Sequence, residues 1–219
     1  MRCFWDDRQR GHAPLTEFFN GNLHPAAEHP GRVDAILAAL RTTEAPNDAG
    51  IEPILRVHDS GYVDFLHSAF TEWRSAGRDG DALPYTFPVV ERRPLALDRI
   101  DAKLGQYSFD TATPIGEGTW AAAYWSAQTA IGALDAVLGG EANAFAFTRP
   151  PGHHAGSDYL GGYSYLNHAA ICAEAALGSG RTKVAILDVD YHHGNGTQDI
   201  FAGREDVVFA SIHADPSTD

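Results

Sequence analysis

The sequence predicts a three-layer α/β domain built on a mainly parallel sheet. Short apolar strands alternate with helical patterns along the chain. The stretch Val184 to Leu187 is an unbroken apolar run of the kind buried in parallel sheets. Carboxylates and imidazoles follow directly at its carboxyl end, where open α/β sheets hold their ligands. With 219 residues there is enough chain for one full core, so residues 1–219 are read as a single domain.

Arg2 to Trp5 is expected to form the first short strand, followed by a loop holding the turn formers Asn20-Gly21-Asn22 and His24-Pro25. His29-Pro30-Gly31-Arg32 opens a helix in which Val33, Ile36, Leu37 and Leu40 keep helical spacing. Ile51 to Val57 is predicted as a strand. Ser60 is expected to cap a helix carrying Tyr62, Val63, Phe65, Leu66, Phe70 and Trp73 on and around one face. From about 76 to 117 the pattern breaks up around Gly77, Gly80, Pro84, Pro88, Pro94, Gly105 and Pro114. Irregular stretches of that length are usually functional or make oligomer contacts; this one carries the acids Asp98, Asp101, Asp110 and Glu117.

Thr119 to Leu138 reads as an alanine-rich helix stopped by Gly139-Gly140. Ala144 to Thr148 is a further buried strand, running into the stiff turn Arg149-Pro150-Pro151-Gly152-His153-His154. Gly161-Gly162-Tyr163 precedes a helix from about Tyr165 to Leu177. The strand at Val184 comes next, then Gly194-Asn195-Gly196 leading into a short helix, and a last strand from Val207 to Ile212.

The composition narrows the function. A net charge of −13 and the lack of a basic stretch argue against a nucleic-acid coat. No window approaches a membrane span, and the first residues lack the apolar core of a signal peptide. Cys3 and Cys172 form no C-x-x-C and are read as reduced thiols, so the expected location is cytoplasmic.

In extended geometry Asp188, Asp190 and His192 share a face. Asp190 and His192 offer one oxygen and one nitrogen to a first-row cation, and catalytic zinc sites use such donors beside an exchangeable water. An isolated D-x-H is more often a satisfied Asp–His hydrogen bond, and a tandem histidine can be a packing device. Two parallel strand ends open at the same edge, however, so His153-His154 can join the acidic group. Beside a metal pair the natural chemistry is hydrolysis, with one imidazole taking the proton of water.

The segments RPPGHHA, GGYSYLNHAA, LDVDYHHGNGTQDIF and FASIHADP together resemble the zinc-dependent histone deacetylase-like family, with the nearest likeness to the bacterial acetylpolyamine amidohydrolases. The resemblance covers essentially the whole chain and implies an arginase/deacetylase-like fold. Carried over to these positions, it makes Asp190 and His192 zinc ligands and His154 the general base. His153 becomes its electrostatic partner, Asp188 the acceptor of a hydrogen bond from His153, and Asn195 the group that orients His154. Gly162 and Tyr163 would line a narrow substrate tunnel, and Arg32 an acetate exit cavity. Asp188, His192, Ser211 and Ile212 match an inner monovalent-cation (potassium) site, partly through backbone carbonyls, and Phe201, Arg204 and Val207 an outer one.

The resemblance also implies a third zinc ligand, an aspartate, and a transition-state tyrosine in a glycine-rich loop, both beyond the last strand expected here. The chain is therefore expected to be C-terminally truncated, and residues 1–219 alone to be inactive. The activity implied is zinc-dependent removal of acetyl groups from acetylated polyamines or similar small cationic amines. The 76–117 insertion would narrow the entrance and mediate a homodimer. The rivals are a protein acetyl-lysine deacetylase, a catalytically inactive metal or acyl-ligand module, and a manganese ureohydrolase of related fold. The last would want more carboxylates around D-x-D-x-H.

Overall fold

The computed structural model describes residues 1–40, 42–88, 97–215 and 217. β1 (Arg2–Phe4) is followed by a 3-10 helix, Asp7–Gly11, capped by the Asp6 carboxylate. The expected loop beyond it holds a hairpin instead. β2 (Thr16–Phe19) and β3 (Asn22–Pro25) pair antiparallel around Asn20 and Gly21, both at positive φ. That is the geometry an Asn-Gly two-residue turn favours. Next come α1 (Gly31–Ala39) and α2 (Glu52–Leu55). The second corrects the strand predicted over Ile51–Val57. Pro53 lies in the first turn of α2, where its missing N–H costs nothing, and a strand would have needed that donor.

α3 (Ser60–Ser75) begins one residue later than its cap, which is Asp59 rather than Ser60: the Asp59 carboxylate accepts from the N–H groups of Gly61 and Tyr62. Within the irregular insertion, α4 (Ile100–Gln106) buries Ile100 and Leu104, while residues 89–96 of that insertion lie outside the described residues. α5 (Thr119–Leu138) and β4 (Ala144–Ala146) follow as expected, although β4 stops two residues early. α6 (His168–Gly178) starts three residues later than predicted because Asn167 caps it, accepting from Ala170 N–H. β5 (Val184–Asp188), α7 (Asn195–Phe201) and β6 (Val207–Ser211) complete the order.

The strands pair in parallel as expected, β1 with β4 and β5 with β6. Among the described residues these are separate two-stranded sheets rather than one continuous ladder. The layers follow from alternation along β1. Phe4 packs on Ala133 and Ala136 of α5, whereas Trp5 packs on Val33 of α1 and stacks on Phe147 at 4.7 Å. Adjacent side chains of an extended chain point to opposite faces, so one helix covers each side. The main core joins α3, α5 and α6 through Tyr62, Leu66, Ala123, Ala127, Leu160, Tyr165 and Ile171. β5 departs from the fully buried strand that its sequence suggests. Val184 and Ile186 pack against the core, but Leu187 is 65% exposed. No helix among the described residues is long and apolar enough to cross a membrane.

Candidate active site

The site is assembled from the chain that leaves β4 and the chain that leaves β5. The first turn is clamped at its base. Arg149, 2% exposed, donates its N–H to Gln9 Oε1 at 2.6 Å and its Nη1 to the Gln9 carbonyl at 2.9 Å. Its Nε lies 2.5 Å from Glu28 Oε1, and Arg32 bonds the other oxygen of the same buried carboxylate. Arg32 therefore reaches the histidine turn through Glu28. Burial pushes the Arg149 guanidinium below its ordinary value, with Glu28 opposing the shift.

The turn delivers His153 and His154 side by side, ring centroids 4.0 Å apart. Each imidazole has its own partner. His153 Nδ1 is 2.8 Å from Asp188 Oδ2, and His154 Nδ1 is 2.6 Å from Asn195 Oδ1. Gly194 makes the first contact feasible, since a Cβ there would stand 2.3 Å from Asp188 Oδ2. Gly196 lets α7 approach the turn, where a Cβ would stand 2.2 Å from the Ala155 carbonyl oxygen. Burial lowers the pKa of His154; the Asn195 bond opposes this, and His153 and His192 add to it.

Beyond β5 the extended chain gives way to successive side-chain turns. Asp190 N–H donates to Asp188 Oδ1 at 3.1 Å, and His192 N–H donates to Asp190 Oδ1 at 2.9 Å. Asp190 and His192 are thus presented outward, their side chains 53% and 64% exposed. Their donor atoms, Asp190 Oδ1 and His192 Nδ1, stand 3.4 Å apart. Two corners of a tetrahedron with bonds of about 2.0–2.1 Å are separated by roughly that distance, so the pair fits one zinc ion in chemistry and in spacing. His153 Nε2 lies 3.9 Å from Asp190 Oδ1, and the His154 and His192 rings are 6.0 Å apart. The Asp190 carboxyl is opposed by burial but held below its usual range by the His192 N–H and by His153. Among the described residues no group of three or more His, Cys, Asp or Glu could hold a metal.

Gly162 and Tyr163 close one side. Both sit at positive φ, 53° and 63°, which tertiary bonds enforce. Gly162 N–H donates to Asp110 Oδ2 at 2.6 Å and Tyr163 N–H to Thr113 Oγ1 at 2.9 Å. A Cβ on Gly162 would stand 2.2 Å from His154 Cδ2, so the backbone there is a wall against the imidazole. The Tyr163 hydroxyl donates to Glu17 Oε1 at 3.0 Å. Sequence reasoning missed Glu17 and Thr113 altogether. Of the insertion's acids, Asp110 is committed to this wall, Asp101 is turned inward to Arg78 and Arg99, and Asp98 and Glu117 are exposed.

The residues matched to cation sites fall into two groups. Asp188 lies opposite Ser211 in the β5–β6 register, and Ile212 N–H donates to the Asp188 carbonyl at 2.9 Å. Ser211 Oγ is 2.8 Å from His213 Nδ1. Phe201, Arg204 and Val207 lie between α7 and β6, with Arg204 N–H bonded to the Phe201 carbonyl and its guanidinium held by Asp206 and Glu174.

The family model of the histone deacetylase domain matches residues 24–218. Acetylpolyamine amidohydrolase 1 of Pseudomonas aeruginosa is 49% identical over 99% of this chain and 64% of its own length. The acetylpolyamine amidohydrolase of Mycoplana ramosa is 44% identical over 99% of this chain and 65% of its own. The crystal structure of an acetylpolyamine aminohydrolase from Burkholderia pseudomallei superposes with a TM-score of 0.92 at 42% identity, covering all of this chain and 64% of that one. The chain thus spans just under two thirds of the length of these relatives.

Proposed function

The chain belongs to the histone deacetylase domain family, and on that premise we propose that the whole protein hydrolyses the acetamide of acetylated polyamines or similar small cationic amines. One observation carries the mechanism. Two adjacent imidazoles have partners of different charge, a carboxylate for His153 and a neutral amide for His154, beside a donor pair that fits zinc.

Asp190 and His192, completed by a further ligand, would hold a zinc ion that supplies Lewis acidity toward the acetyl oxygen and water. His154 is the base. Its Nδ1 is occupied by Asn195, so Nε2 accepts the proton of the attacking water, and its lowered pKa keeps it neutral near pH 7. His153, hydrogen-bonded to the Asp188 carboxylate, stands beside His154 as its electrostatic partner facing the developing oxyanion. Breaking the C–N bond then requires a proton at the amine, and the protonated His154 returns it. The products are acetate and the free amine.

Gly162 and Tyr163 would form a wall of the channel for the acyl-amine chain, and Arg32, linked through Glu28 to the histidine turn, would border the route taken by acetate. Potassium would bind at Asp188, His192, Ser211 and Ile212, partly through carbonyl oxygens, and again at Phe201, Arg204 and Val207. The 76–117 insertion would form a homodimer contact, and the protein would work in the cytoplasm. The test is kcat/KM of the zinc-loaded whole protein for an N-acetylated diamine against an acetyl-lysine peptide. Preference for the diamine supports this reading; faster turnover of the peptide favours a protein deacetylase.

A further inference from the structure

Building on the reading of His154 as the base, we infer that Asn167 is a positioning residue: its side-chain amide ties the histidine turn to α7 and so fixes where His154 stands against Asn195. Asn167 and Thr197 are buried, 0% and 1% exposed. Asn167 Nδ2 donates one hydrogen to the Ala155 carbonyl and the other to Thr197 Oγ1, each at 3.0 Å. Ala155 directly follows His154, and Thr197 lies two residues after Asn195 on α7. On the other flank of His154, the His153 carbonyl accepts from the Thr197 N–H at 3.1 Å. With its oxygen accepting from Asn167, the Thr197 hydroxyl turns its own hydrogen toward that same His153 carbonyl, 3.5 Å away. The carbonyls on both flanks of His154 are therefore held to Thr197, one directly and one through Asn167. From this joint His154 Nδ1 and Asn195 Oδ1 are brought to 2.6 Å.

Capping α6 does not by itself call for an asparagine. The cap needs one oxygen, here Oδ1 accepting from Ala170 N–H at 3.0 Å, and Ser, Thr or Asp would supply it. Among the good capping side chains only asparagine adds two donors beside that acceptor. Its orientation is fixed by backbone groups whose roles cannot change. Ala170 N–H only donates and the Ala155 carbonyl only accepts, so the oxygen faces α6 and the NH₂ faces the histidine turn. The Asn167 backbone is committed as well, its N–H to His58 Nε2 and its carbonyl to Ile171 N–H, both at 2.9 Å. A buried network with every member paired is rigid. The base needs that rigidity, because a displacement of about 1 Å at a reacting group can cost about a hundredfold in rate.

The test separates positioning from capping in the zinc-loaded whole protein. Asn167→Ser keeps a capping oxygen and removes the double donor. Thr197→Val removes the hydroxyl at nearly constant shape and Thr197→Ser keeps it, so this pair carries the test should Asn167→Ser not fold. The first readout needs no turnover. It is the His154 Nδ1–H proton in protein with ¹⁵N-labelled histidine rings, identified by its absence in His154→Gln. In the parent and in Thr197→Ser this proton should be hydrogen-bonded and slow to exchange. In Asn167→Ser and Thr197→Val it should move upfield or exchange with solvent. The second readout is kinetic: in those two variants kcat should fall at least about tenfold while KM stays within about twofold. An unmoved His154 proton or an unchanged kcat in the folded variants, whatever the change in Tm, would leave Asn167 a cap alone and overturn the inference, as would a parent protein without the signal. Lack of turnover of acetylated amines would defeat the proposed function, and the proton signal would still decide the role of Asn167.

Discussion

The Nδ1 atom of His154 lies 2.6 Å from the side-chain oxygen of Asn195, a neutral acceptor, not a carboxylate. An anion at that distance would favour imidazolium; an amide does not. Replacing Asn195 with Asp should therefore raise the His154 pKa and move the acidic limb of the kcat/KM profile of the whole protein upward. If Asn195 only shaped the turn into α7, the variant would change stability and leave the limb where it was.

Gly194 is the close-approach point of the other pair. Gly194→Ala would drive a methyl group into Asp188 Oδ2, 2.3 Å away, and toward His153 Nδ1, 3.2 Å away. Overpacking of this kind costs about 1–3 kcal/mol. We expect a measurable fall in Tm together with a loss of at least about tenfold in kcat, the factor that ~1.4 kcal/mol of lost transition-state stabilisation gives. Unchanged kcat in a folded variant would mean that the His153–Asp188 contact does not serve the reaction.

Three buried imidazoles should make the fold acid-sensitive. Burial lowers His12 to about 3, His58 to about 4 and His168 to about 3. In the unfolded chain each titrates near 6.5. Below that value the unfolded state binds protons that the folded state refuses, so stability is full above it and is lost as pH falls toward the folded values. The slope is about 1.4 kcal/mol per pH unit for each proton. Tm should fall steadily from pH 6.5 toward 4, and less steeply in His58→Gln, whose amide oxygen can still accept the Asn167 N–H. A flat profile over that range would contradict the assignment.

What could be read beforehand was local. The run from Asp188 to His193 announces its chemistry by residue type and by short spacing at a strand end, and the structure brings it to the tandem histidine. Glu17 and Thr113 announced nothing, because their meaning comes from contacts with residues far away in the chain. The hairpin around Asn20-Gly21 was hidden for a different reason. Only Glu17 in its first strand is buried, so no apolar alternation marked it. Over Ile51–Val57 the apolar residues suggested a strand, and the helical preference of Glu52-Pro53 at a first turn won locally.

If Asp190 and His192 hold the zinc beside the paired histidines, neither can be removed without losing it. Zinc content per chain, measured in the whole protein and in its Asp190→Ala and His192→Ala variants beside turnover of an acetylated diamine, tests it most directly. Stoichiometric zinc and turnover are expected in the parent protein, and the loss of both together in each folded variant. Full zinc occupancy in both variants would contradict it.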